Sequence, residues 1–202
     1  MKRRTFIKNT AATSALVTLS GISLSSFTPV KERKITILHT NDVHSHIDPF
    51  PDNHPKNPGI GGVARRASLI EQIRKEETNV LLLDAGDIFQ GTPYFNYYGG
   101  ELEFKLMSMM KYDLATMGNH DFDNGIEGFY AQLPHANFEF VSANYDFKNT
   151  ELNGIVKPYK TFFKDGIKIG VFGLGVQLEG LVDKKLYKET VYNHPIEIAT
   201  DI

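Results

Sequence analysis

Gly118-Asn119-His120-Asp121-Phe122-Asp123 decides how this chain of 202 residues is read. It follows a short apolar run, Leu114 to Met117, and two other chemistry-bearing motifs stand in the same relation to such runs. Asn41-Asp42-Val43-His44 comes after Ile35 to Leu38, and Asp84-Ala85-Gly86-Asp87 after Val80 to Leu83. Short apolar runs bounded by turn residues read as buried strands. In an open α/β sheet the loops at the carboxyl ends of the strands converge on one crevice. Three such loops would gather Asp42, His44, Asp87, Asn119 and His120, a donor set of oxygens and imidazole nitrogens that suits a metal centre.

The spacing gives each donor a task. Asp42 and His44, two residues apart on a turn, can chelate one ion together. Asp87 follows Gly86, so the backbone can turn sharply and aim the carboxylate into the crevice. A carboxylate shared by two ions holds them about 3.5–4 Å apart, the spacing used for in-line phosphoryl displacement. Asn119 offers a neutral oxygen to the second ion. His120 then lies beside the leaving group, and Asp123 can hold its imidazole in one tautomer. Taken singly, Asp-x-His and Gly-Asp are ordinary solvated turns. Gly-Asn-His-x-x-Asp is much rarer, and the order of all three after strand-like runs points to a metal-dependent phosphoesterase.

With Leu38-His39-Thr40-Asn41-Asp42-Val43-His44-Ser45 and Gly61-Gly62-Val63-Ala64-Arg65 added to the two later motifs, the chain resembles the catalytic domain of the 5′-nucleotidase family. That family belongs to the calcineurin-like metallophosphoesterases. The resemblance runs from about Lys34 to the end of the sequence. It implies a layered α/β sandwich and a centre of two divalent ions, Zn, Mn or similar. It implies that Asp42 and His44 bind the first metal, that Asp87 bridges, and that Asn119 binds the second. His120 with Asp123 is the implied catalytic dyad, and Asn119 and His120 the implied contacts on the phosphate side of the substrate. The implied reaction is hydrolysis of a 5′-nucleotide to nucleoside and phosphate. Cyclic-nucleotide phosphodiesterase and nucleotide-sugar diphosphatase are alternatives with the same centre, and a catalytically incomplete metal-binding chain is another. Asp121 departs from the pattern, which more often has Glu there.

The family takes three further histidine ligands from later motifs, among them Gly-His-x-His, which this sequence does not contain. Residues 26–202 are therefore expected to be the N-terminal part of a catalytic domain, incomplete at the C-terminus. The missing ligands and the nucleoside-gripping C-terminal domain would come from a downstream segment or a separate chain.

Other polar residues read more plainly. His39 is expected to be a hydrogen-bonded residue of the first strand, His46 a cleft-edge residue, His54 an exposed loop residue, and His135 and His194 surface or helix-end residues. Asp84 is expected to brace the turn carrying Asp87, and Arg65 to lie on a helix surface. Tyr94, Phe95, Tyr97 and Tyr98 read equally as the lining of a pocket or as packing at a helix entry.

Apolar residues at 41% and charged residues at 23% suit an ordinary folded domain. The net charge of −2, with no Lys/Arg patch, argues against nucleic acid as a partner. Zero cysteines exclude disulfides and thiolate ligands. Residues 1–25 read as an export signal to the periplasm or exterior: Arg3-Arg4-Thr5-Phe6-Ile7-Lys8 resembles the twin-arginine signal. The apolar stretch from Ala11 to Leu24 is shorter than the roughly 20 residues of a membrane span.

The remainder alternates strands and helices. Strands are expected at Lys34 to His39, Val80 to Leu83, Asp113 to Thr116, Phe138 to Ala143 and Tyr159 to Phe163. Asp165-Gly166 is expected to turn the last into Ile167 to Leu174. Helices are expected at Val63 to Glu76, burying Leu69, Ile70 and Ile73, and at Glu101 to Met110, burying Leu102, Leu106, Met109 and Met110. A short third helix is expected from Ile126 to Leu133.

Overall fold

A computed structural model describes residues 32–202, so the export signal expected at residues 1–25 lies outside the described residues. The body formed by residues 34–202 is built on a four-stranded parallel sheet with strands in chain order. These are β1 (Thr36–Thr40), β2 (Val80–Asp84), β3 (Leu114–Ala115) and β4 (Glu139–Phe140). The register sets Leu38 beside Leu82, Asp84 beside Ala115, and Ala115 beside Phe140.

Parallel strands laid down in sequence need crossovers of one hand, and right-handed crossovers place every connecting helix on the same face. Those helices are α1 (Val63–Glu76), α2 (Pro93–Tyr98), α3 (Glu101–Met109) and α4 (Gly125–Gln132). Val63 and Ile70 of α1, Phe104 and Met107 of α3, and Ile126 and Phe129 of α4 join Leu82, Ala115 and Phe140 in one core. Aromatic rings thicken it, with Phe89 stacked on Phe104 at 5.0 Å and Phe129 edge-on to Phe140 at 4.9 Å. The opposite face is only partly covered: Leu81 and Leu114 are buried, but Ile37 is 57% exposed.

The rest of the chain adds β5 (Tyr145–Asp146), the hairpin of β6 (Tyr159–Lys164) with β7 (Ile167–Phe172), and β8 (Val191–Tyr192), which pairs with β5. Two short helices, α5 (Lys184–Tyr187) and α6 (Pro195–Asp201), complete it. Asp165 and Gly166 take φ of 49° and 74°, the two left-handed residues of a tight hairpin turn. Among the described residues, no helix is long and apolar enough to cross a membrane.

Three sequence expectations need correction. Leu69 and Met109 are exposed, while α3 buries Glu103, Phe104 and Met107. The helix is rotated by about one residue from the reading, because Phe104 stacks into the aromatic core and fixes the face. His39 is exposed rather than bonded within the core, since it shares the partly covered face with Ile37. The strands expected at Asp113–Thr116 and Phe138–Ala143 shrink to two residues each: after the first the chain turns into Gly118–Asp123, and after the second it bonds instead to Lys157 and Gly173.

Candidate metal centre

Each of the three motif loops leaves the carboxyl end of a strand, and backbone bonds lace them together. The amides of Asp42, His44 and Ser45 donate to the carbonyls of Gly86, Asp87 and Ile88 at 2.9, 3.1 and 3.0 Å. This ladder needs a tight bend on both sides. Asp42, His44, Ser45 and Asp87 all take positive φ, between 46° and 56°. Non-glycine residues in that region are strained by about 1 kcal/mol or more each, and such strain concentrates at functional sites. Two glycines make the close approach possible. A Cβ on Gly86 would lie 2.3 Å from the Gly118 amide nitrogen, and one on Gly118 would lie 2.2 Å from Asp87 Oδ1.

One carboxylate ties the second loop to the third. Asp121 is fully buried and accepts four backbone amides, from Asp87 (3.0 Å), Ile88 (2.9 Å), Phe89 (3.1 Å) and Gly118 (2.8 Å). Burial pushes its carboxyl up to about 7, against the pull of the Gly118 and Phe89 amides. Sequence reasoning gave Asp121 no task. Asp84 also braces the turn, accepting from Gly86 N–H at 2.9 Å and from the Thr40 hydroxyl at 2.5 Å. Its carboxyl is pushed up to about 6 by burial.

The result is a convergent donor set. Ligand atoms of Asp42, His44 and Asp87 all lie within 4.8 Å of one another. His44 Nδ1 bonds the Phe89 carbonyl at 3.2 Å, which directs the other ring nitrogen, Nε2, toward Asp42 Oδ1 at 3.7 Å. A histidine fixed through one nitrogen by a carbonyl presents the other as a ligand. Oxygen and imidazole donors at this spacing fit a divalent ion such as Zn or Mn.

His120 stands beside this set. Its amide donates to Asp87 Oδ1 at 2.9 Å, and its ring lies edge-on to His44 at 5.2 Å. Its Nδ1 meets Asp123 Oδ2 at 2.8 Å, a bond that outweighs partial burial and raises the imidazole above the ordinary histidine range. Asn119, half-buried, sits between Gly118 and His120 at the start of the short 3₁₀ turn His120–Phe122. Of the other histidines, His46 bonds the His44 carbonyl and packs on Phe50. His54 also packs on Phe50 and accepts the Asn57 amide, so it is half-buried rather than exposed. Arg65 stays on the surface of α1, bonded to the Gly59 carbonyl. A cavity of about 720 Å³ between α1 and α3 is lined by none of the donor residues.

Residues 35–200 match the calcineurin-like phosphoesterase family, and the chain belongs to that family. Within it the domain matches the 5′-nucleotidases. It is 42% identical over 147 residues to a snake venom 5′-nucleotidase of Crotalus adamanteus, covering 69% of this chain and 25% of the relative. It is 40% identical over 164 residues to the 5′-nucleotidase of Rattus norvegicus, covering 75% of this chain and 28% of the relative. The crystal structure of a 5′-nucleotidase precursor from Thermus thermophilus superposes with a TM-score of 0.75 at 34% identity, over 83% of this chain and 33% of that one. The chain thus spans about a quarter of the length of the curated relatives it matches.

Proposed function

We propose that this domain supplies the first-metal half and the acid–base dyad of a site that hydrolyses 5′-nucleotides to nucleoside and phosphate. The observation that carries the reading is the convergence of Asp42, His44 and Asp87 within 4.8 Å, with His120 alongside and bonded to Asp123. Asp42 and His44 would hold one ion, Asp87 would be shared, and Asn119 would serve a second. Divalent ions at such a site neutralise the phosphoryl oxygens and make a water nucleophilic at neutral pH. His120 presents the ring nitrogen not held by Asp123 to the ester oxygen, and holds a proton there for the leaving group. Asp123 fixes the tautomer and favours the charged ring.

The identity to 5′-nucleotidases supports the substrate class, and the snake venom relatives support an exported protein, with residues 1–25 as the signal. The remaining ligands and the nucleoside contacts would come from polypeptide outside this sequence. Product analysis on the full-length protein, with elemental analysis of bound metal, tests the reading: nucleoside and phosphate from AMP, a nucleoside monophosphate from a cyclic nucleotide, and a nucleotide with a sugar phosphate from a nucleotide sugar. Turnover of AMP alone is the expected result. Preference for either other substrate would replace the nucleotidase reading, and a full complement of activity without bound metal would end it.

A further inference from the structure

Behind the Asp42–Ser45 turn lies a cluster of buried polar atoms that no part of the proposed chemistry uses. Among the described residues, seven buried side-chain nitrogen or oxygen atoms have no hydrogen-bond partner. Four of them, Ser45 Oγ, Arg66 Nε and both carboxylate oxygens of Glu103, belong to residues that line one small cavity of about 10 Å³. Ser45 is 1% exposed and Glu103 3% exposed. The remaining walls are mostly apolar, including Val43, Ile47, Val63, Ile88 and Met107. A buried carboxylate without a partner costs several kcal/mol, so this arrangement needs an occupant.

The chemistry of the lining selects that occupant. A cavity of roughly 10–15 Å³ holds one water, and dry cavities are apolar, which this one is not. A metal cation is disfavoured by Arg66, whose positive charge reaches the neighbouring Asp84 and Tyr112. A water has two hydrogens for the carboxylate and two lone pairs for the Ser45 hydroxyl and the Arg66 Nε–H, matching the orphan atoms in number.

We propose that a single enclosed water joins Glu103, Ser45 and Arg66, and that Glu103 is through it a positioning residue for the turn carrying Asp42 and His44. On its crevice side the turn is fixed by the backbone ladder to Gly86, Asp87 and Ile88. The water-linked carboxylate fixes it from behind, joining it to α1 and α3. Partners one step removed from a ligand typically set metal affinity by about 10–100-fold. The positioning half of this proposal rests on the metal-centre reading; the enclosed water does not.

Two measurements on the full-length protein decide it. Mn²⁺ titration calorimetry of Glu103→Leu should show affinity lowered by about tenfold or more. The melting temperature of the metal-free variant should fall, because the Arg66 Nε–H and the Ser45 hydroxyl lose the carboxylate, so affinity is read at a temperature where the variant is folded. Glu103→Gln, which keeps hydrogen-bonding atoms in place, should bind Mn²⁺ within a few-fold of the parent. Wild-type affinity in a folded Glu103→Leu protein would overturn the positioning role. Should that variant fail to fold, a high-resolution crystal structure of the parent still decides the water. Density within hydrogen-bond distance of Glu103, Ser45 Oγ and Arg66 Nε supports it, and a direct Glu103–Arg66 pair or a dry cavity removes it. A parent protein that binds no Mn²⁺ would instead overturn the metal-centre reading, and the positioning role with it.

Discussion

The strand-end turns and the β6–β7 hairpin are both compact bends, but they are held by different forces. The hairpin is a regular six-pair antiparallel ladder closed by Asp165-Gly166, with side chains that include exposed Tyr159 and Phe163. Backbone pairing and one turn suffice for it, and most of its side chains are free to vary. The turns have no such repeat. Asp121 alone serves four amides, Asp87 receives the His120 amide, and four non-glycine residues sit at positive φ. Where one acceptor satisfies many donors, each residue's identity matters; where a ladder satisfies them in pairs, it does not.

Substitutions should separate the two regions steeply. The largest effect is expected at Asp87→Ala, which removes the carboxylate proposed to be shared between two ions. Elemental analysis of the full-length variant should find at most one ion, with turnover abolished, and full metal content would show that the bridge lies elsewhere. His120→Asn should keep the metal yet slow turnover by the roughly 10²–10⁴-fold typical of lost acid–base help. That loss should shrink with nitrophenyl phosphate, whose leaving group needs no proton; equal losses on both substrates would assign His120 to charge stabilisation instead.

Asp121→Ala comes next and acts on the fold rather than the chemistry. Four buried amides lose their acceptor, so chemical denaturation should register a loss of about 3 kcal/mol or more. A loss under about 1 kcal/mol would mean that the turns hold together without it. The smallest effect is expected at Phe163→Ser in the hairpin, within about 0.5 kcal/mol, the usual range for an exposed site. A cost well above that would show that further polypeptide covers this face in the complete protein, and the contrast between the regions would then weaken.

The hairpin was the more legible of the two. Asp-Gly between two apolar alternations signals its own geometry, and the structure forms the turn and both strands close to the expected bounds. The strands β1 and β2 were legible for the same reason, as continuous apolar runs. The faces of α1 and α3 were not. Leu69 and Met109 fit an apolar stripe equally well on paper; in α3 the aromatic cluster of Phe89, Phe104 and Phe129 chose the inward face, and in α1 the burial of Val63 and Ile70 turned Leu69 outward. His39 misled because strand alternation names two faces without saying which one is covered.

For the site, the sequence by itself determined the donor types and their order: Asp42 with His44, then Asp87, then Asn119 and His120 with Asp123. Short-range spacing fixes which residues can share a turn, because a few bonds of backbone set their reach. What supports those residues was decided only in three dimensions. Asp121 reaches back 33 positions to the amide of Ile88, and Glu103 lines one cavity with Ser45 and Arg66, which come from a loop and another helix. Asp121 lies inside the Gly118–Asp123 motif, but neither that motif nor the residues around Glu103 show what the two side chains support. Their importance comes from burial and from the donors that distant segments bring to them, and those exist only once the sheet has closed the strand ends together.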